Sequence, residues 1–164
     1  MDILLLILRL ALAAVFAIAA FGKIFDREGS EKAFRDFGVP ELLGKPLATF
    51  LPIAELGVAV SLLFISSSWI GAIGAGTLLI VFLGGMFYQI AKGNAPDCHC
   101  FGQLHSEPVG VSSVARNLVL LAMAGILIGQ GTSYQGLSLV NTNQEIMQFI
   151  VGLAVVGLLM SIVF

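Results

Sequence analysis

The sequence predicts an all-α membrane protein: a four-helix transmembrane bundle, a fifth transmembrane helix after it, and a short helix in the membrane interface between the first two spans. Three observations carry this. Of the 164 residues 58% are hydrophobic and 11% charged, with a mean hydropathy of +1.01, which leaves too little polar surface to cover a soluble globule. A spanning helix needs about 20 mainly apolar residues, and windows of that length occur at Ile3 to Phe21, Leu47 to Ile65, Trp69 to Ala91, Val111 to Gln130 and Ile146 to Phe164. The segment Asp26 to Lys45 between the first two is polar, but it places Ala33, Phe34 and Phe37 on one helical face.

Each window reads as a helix because lipid offers backbone groups no partner outside their own segment. The first has Asp2 where a signal peptide carries a basic flank, is too long for an h-region and meets no small-residue cleavage site, so it reads as retained. Arg9 sits inside it. Gly22-Lys23 closes it, with the lysine placed to snorkel to the interface. In the interfacial helix Ser30 reads as N-cap and Gly38 with Pro40 as the stop. Glu31 with Arg35 and Lys32 with Asp36 are spaced for i,i+4 pairing.

The second span holds Pro52 and Glu55. An acid at that depth must be paired, protonated or facing a cavity. Arg9 and Lys23 are the candidate partners, because a short connection makes the first two spans neighbours. Gly71, Gly74, Gly76, Gly84 and Gly85 in the third span, with Gly125 and Gly129 in the fourth, read as close helix packing. Tyr88 to Lys92 is an interfacial anchor, and Ser112 or Ser113 is placed to cap the fourth span. Arg116 and Asn117 follow in its first turns, within reach of the preceding loop.

That loop holds both cysteines and both histidines of the chain, in Pro96-Asp97-Cys98-His99-Cys100-Phe101-Gly102-Gln103-Leu104-His105. Two cysteines one residue apart close a disulfide only in a tight turn, and a strained, exposed bridge is easily reduced, which suits an electron relay. His99 and His105 would favour a thiolate and Asp97 would oppose it. The same group suits a soft metal: Cys98, Cys100 and His105, with His99 or Asp97 as fourth ligand, would hold zinc or cuprous copper. Two inert thiols in a connector are the third reading. Two cysteines exclude a secreted disulfide scaffold, and a net charge of -2 excludes a nucleic-acid surface.

Lys23, Arg27, Lys32, Arg35, Lys45, Lys92 and Arg116 lie on or beside the two loops at the cysteine end, whereas Gly131 to Glu145 has no Lys or Arg. By the positive-inside rule the cysteine loop is cytoplasmic and the N-terminus outside.

Asp97-Cys98-His99-Cys100-Phe101-Gly102, continued by Glu107-Pro108-Val109-Gly110 and Arg116-Asn117, resembles the signature of the methylamine-utilisation MauE family of redox-associated membrane proteins. Arg9, Gly22-Lys23, Pro52 and Glu55 are similar to the pattern that family shares with the broader DoxX family. The likeness runs from about Leu4 to Gln130. It implies a MauE/DoxX-like four-helix domain over residues 1–130 in a bacterial inner membrane, supporting thiol-disulfide chemistry with a thioredoxin-like partner or fused domain. Methylamine metabolism itself does not follow from the resemblance, and whether a quinone takes part is left open. Residues 131–164 read as a polar loop and fifth helix leading toward a further C-terminal domain, since the chain stops inside an apolar window. The reading thus stands as a thiol-disulfide redox protein, with a zinc or copper carrier or a non-catalytic membrane anchor as alternatives.

Overall fold

The computed structural model describes residues 2–93, 97–98 and 107–132. The elements in order are α1 (Asp2–Phe25), α2 (Arg27–Asp36), α3 (Glu41–Leu63), α4 (Ser68–Ala91), β1 (Asp97–Cys98), β2 (Glu107–Pro108) and α5 (Val111–Gly129). α1, α3, α4 and α5 are each long and apolar enough to cross a bilayer. The protein is a multi-pass membrane protein of the all-α class. The expected fifth span, Ile146 to Phe164, lies outside the described residues.

Four spanning helices in succession alternate direction, so α2 and the β1–β2 connection fall at one end of the bundle and the 64–67 turn at the other. α1 and α3 pack along each other, and α4 bridges α3 and α5. The shared core holds Leu5, Leu12, Phe16, Leu62, Leu79 and Leu127 among its larger side chains. Much of the remaining apolar surface, including Phe50, Ile53, Ile80, Val81 and Val119, points outward. Outward apolar side chains belong where the solvent is lipid.

Glycine sets how closely α3 and α4 approach. A Cβ on Gly71 would stand 2.9 Å from the Leu62 backbone nitrogen, and one on Gly74 would stand 2.8 Å from a Val58 methyl. Both distances are shorter than a carbon can keep, so the close-packing reading holds for Gly71 and Gly74 but not for Gly84, Gly125 and Gly129, where an added Cβ would have no neighbour within 4 Å. At the far end Trp69 Nε1 donates to the Ile128 carbonyl at 3.3 Å, tying the start of α4 to the end of α5.

α2 differs from expectation at its start. It begins at Arg27, and its cap is Asp26, whose carboxylate accepts from the Gly29 N–H at 2.9 Å. Ser30 is instead buried one turn in, donating to the Asp26 carbonyl at 2.9 Å. Asp26 wins because an Asx side chain just before the first turn meets a free N–H, whereas a serine four residues later meets a carbonyl already in the helix. Among the described residues the ion pair within α2 is Arg27 with Glu31 at 3.4 Å, in place of the expected Glu31–Arg35 and Lys32–Asp36 pairs. α3 starts at Glu41, ahead of the apolar window, with Pro46 and Pro52 inside it. α5 is capped by Gly110 with no side-chain hydrogen bond, so neither Ser112 nor Ser113 is the cap; both lie within the helix.

Candidate functional site

The end of the bundle that carries α2 holds a buried ion pair. Lys23, in the last turn of α1, and Glu55, on α3, form an ion pair with Nζ 2.8 Å from Oε1 and 3.1 Å from Oε2. Glu55 is 0% exposed and Lys23 5%. A carboxylate removed from water needs a counter-charge at hydrogen-bond distance, and here both of its oxygens face one ammonium. Lys23 also reaches the Ala19 carbonyl at 3.5 Å and sits 5.9 Å above the Phe82 ring centre on α4. The lysine therefore turns inward and does not snorkel to the interface.

Arg9 is not part of this pair. It is 1% exposed, and its Nε and Nη2 donate to the Leu62 and Leu63 carbonyls at 3.1 and 3.0 Å. These carbonyls end α3, lack an intrahelical N–H and sit at the negative end of its dipole, so a guanidinium there satisfies both the bonding and the charge. Ser67 Oγ helps at the same helix end, donating to the Ser61 carbonyl at 2.9 Å. Arg9 and Glu55, similar in sequence as lone charges in apolar spans, thus do different work.

α2 covers its end of the bundle. Gln89, buried near the end of α4, donates to the Asp36 carbonyl at 3.0 Å, and Phe37 packs with Met86, Val109 and Val114. Between α2 and the ends of α1, α3 and α4 lies a cavity of about 300 Å³ whose walls include Lys23, Phe34, Phe37, Phe82 and Met86. Leu47 and Val81 also line it and are exposed on the outer surface of the bundle. Sequence periodicity showed the Ala33-Phe34-Phe37 face of α2 but not that it closes over a space. No one-dimensional pattern encodes a gap left between three other helices.

Two short strands flank the cysteine loop. β1 pairs antiparallel with β2, Asp97 opposite Pro108 and Cys98 opposite Glu107, and β1 lies against α2. The backbone of Cys98 is therefore held at the same end as the cavity and the Lys23–Glu55 pair. The remaining site residues expected from sequence, His99, Cys100 and His105, lie outside the described residues, as do the side chains of Asp97 and Cys98. Among the described residues no group of three or more metal-ligating side chains converges, and the Cys98, Cys100 and His105 set falls outside them. Asn117 turns into the bundle, donating to the Ser113 carbonyl at 2.9 Å with Met86 Sδ at 4.0 Å. Arg116 is half-buried on α5 one residue earlier.

The family model described as methylamine utilisation protein MauE matches residues 1–130. Proteins named methylamine utilization protein MauE from Paracoccus denitrificans and Paracoccus versutus are each 36% identical over 119 residues, 71% of this chain and 64% of theirs. The one from Methylorubrum extorquens is 30% identical over 118 residues, 71% of this chain and 63% of its own. The matched region spans under two thirds of the length of these relatives. No solved structure matches the chain. With the family model covering all four described spans, α2 and the cysteine loop, the chain belongs to the MauE family.

Proposed function

We propose that the protein is a membrane thiol-disulfide redox protein in which Cys98 and Cys100 alternate between dithiol and disulfide. One observation supports this most: β1, which carries Cys98, pairs with β2 and lies against α2, so the backbone of Cys98 is held at the end of the bundle that also carries the buried Lys23–Glu55 pair. A thiolate of a thioredoxin-like partner or fused domain attacks one sulfur of the pair and forms a mixed disulfide. A second partner thiolate then resolves it, leaving Cys98 and Cys100 reduced and the partner oxidised, with two electrons and two protons transferred. The reverse sequence reduces the partner. The relatives' names tie them to methylamine utilisation, and we read this chain's partner in that setting as a protein whose disulfides must be made.

On the seven basic residues flanking its end, we place the cysteine loop on the cytoplasmic face of a bacterial inner membrane. Residues 1–130 form the working domain, followed by a polar loop and a fifth spanning helix. The test is trapping: Cys98→Ser or Cys100→Ser, expressed with the partner, should yield a stable mixed disulfide from the remaining cysteine or no exchange at all. Undiminished exchange in both variants would refute the redox reading.

A further inference from the structure

We propose that the cavity under α2 is a lipid site, taking one acyl chain of a phospholipid from the surrounding leaflet. The site is independent of the redox reading above.

The walls select an apolar occupant. Of the twelve lining residues only Lys23 and Ser30 carry polar side chains, and both are engaged within the protein. The Lys23 ammonium faces the two oxygens of Glu55 at 2.8 and 3.1 Å, which balances its charge inside the bundle. The Ser30 hydroxyl donates to the Asp26 carbonyl at 2.9 Å. A water molecule needs about two to four polar partners to reside in such a space, and these walls do not supply them. A hydrocarbon chain needs none and gains dispersion contacts along the Phe34, Phe37 and Phe82 side chains.

Access selects the bilayer as the source. Leu47 and Leu51 on α3, like Val81 and Gly85 on α4, are one helical turn apart, so the cavity follows the seam between these two spans. Leu47 and Val81 are also exposed on the outer surface, at 38% and 63%, on helices long and apolar enough to cross a membrane. The mouth therefore opens sideways into lipid. Farther in, the Phe37 ring lies 3.6 Å from where a Cβ on Gly85 would stand, so α2 roofs the seam.

Size limits the guest to a single chain. A volume of about 300 Å³ takes roughly ten methylene groups, counting each as about the 30 Å³ that a water molecule fills in the liquid. The second chain and the headgroup stay in the bilayer. A chain in the cavity also supports α2 from beneath, adding to the Gln89 hydrogen bond that holds the Asp36 carbonyl at 3.0 Å.

The experiment is photolabelling of the full chain in phosphatidylcholine nanodiscs containing a trace of phosphatidylcholine with a diazirine midway along one acyl chain, the adducts being mapped by mass spectrometry. Outward residues such as Phe50 and Ile80 report bulk lipid, whereas Met86, which lines the cavity and is 1% exposed, is reached only by a chain inside. Adducts are expected on Met86 and Phe34 as well as on the outer surface. Ala33→Trp, which fills the cavity from α2, and Val81→Trp, at its mouth, should each lower the Met86 and Phe34 adducts about tenfold, leave those on Phe50 unchanged, and still melt cooperatively. Because Val81 faces outward, its variant decides the matter if Ala33→Trp does not fold. Adducts confined to the outer surface, or inner adducts unchanged in a variant that folds, would overturn the proposal. Selective loss of the inner adducts on adding a few mole per cent of oleic acid would make a free fatty acid the occupant and overturn it too.

Discussion

Lys23 and Glu55 face each other 2.8 Å apart across the α1–α3 interface, both buried, while Arg9, about four turns away on α1, holds the end of α3. Two buried cations on one helix thus engage the same neighbour in different ways, one through a carboxylate and one through backbone carbonyls.

The pair predicts a thermodynamic coupling. Lys23→Met leaves Glu55 buried without a counter-charge and should cost about 3–5 kcal/mol, whereas Lys23→Met with Glu55→Gln removes both charges and should recover much of that loss. Thermal unfolding in detergent reads both. A double variant as unstable as the sum of the two singles would show that the pair is not coupled.

Arg9 predicts a local defect. Arg9→Leu strands the Leu62 and Leu63 carbonyls and should destabilise the bundle by about 2 kcal/mol, because charged hydrogen bonds in a buried setting are lost. Amide exchange should rise over the last turn of α3 and the 64–67 turn. Exchange raised equally in α2 would instead indicate global loosening.

Two glycines on one helix should respond in opposite ways. Gly71→Ala pushes a methyl to 2.9 Å from the Leu62 nitrogen and should cost about 1–3 kcal/mol through overpacking. Gly84 has nothing within 4 Å of its added Cβ, so Gly84→Ala should be neutral or stabilising by up to about 1 kcal/mol, the difference in helix propensity. Melting temperatures that move in the same direction for both would contradict the close α3–α4 approach.

Orientation is tested by labelling. With the loop cytoplasmic, a membrane-impermeant maleimide added to intact, gently reduced spheroplasts should leave Cys98 and Cys100 unmodified until the membrane is permeabilised. Labelling before permeabilisation would place the loop, and with it the thiol partner, on the outer side.

The sequence by itself determined the four described spans, because about 20 apolar residues in a row have no other stable form in lipid. It also singled out Arg9, Lys23 and Glu55, because charges in apolar windows are conspicuous, and it marked the apolar face of α2. It did not determine which cation meets Glu55. That depends on the register of α1 against α3, which is set by side-chain packing over the whole interface, and on α3 starting at Glu41, six residues before its apolar window. The start lies in a stretch whose composition alone reads as loop, but Pro40 and Glu41 open a first turn that packing against α2 holds in place. Only the tertiary structure showed that Arg9 closes the end of α3, that Asp26 and not Ser30 begins α2, and that α2 covers a cavity with Lys23 in its wall. Each of these is a relation between segments far apart in the chain or a competition between neighbouring groups for one N–H, and it is decided by which arrangement leaves the fewest buried polar groups without partners.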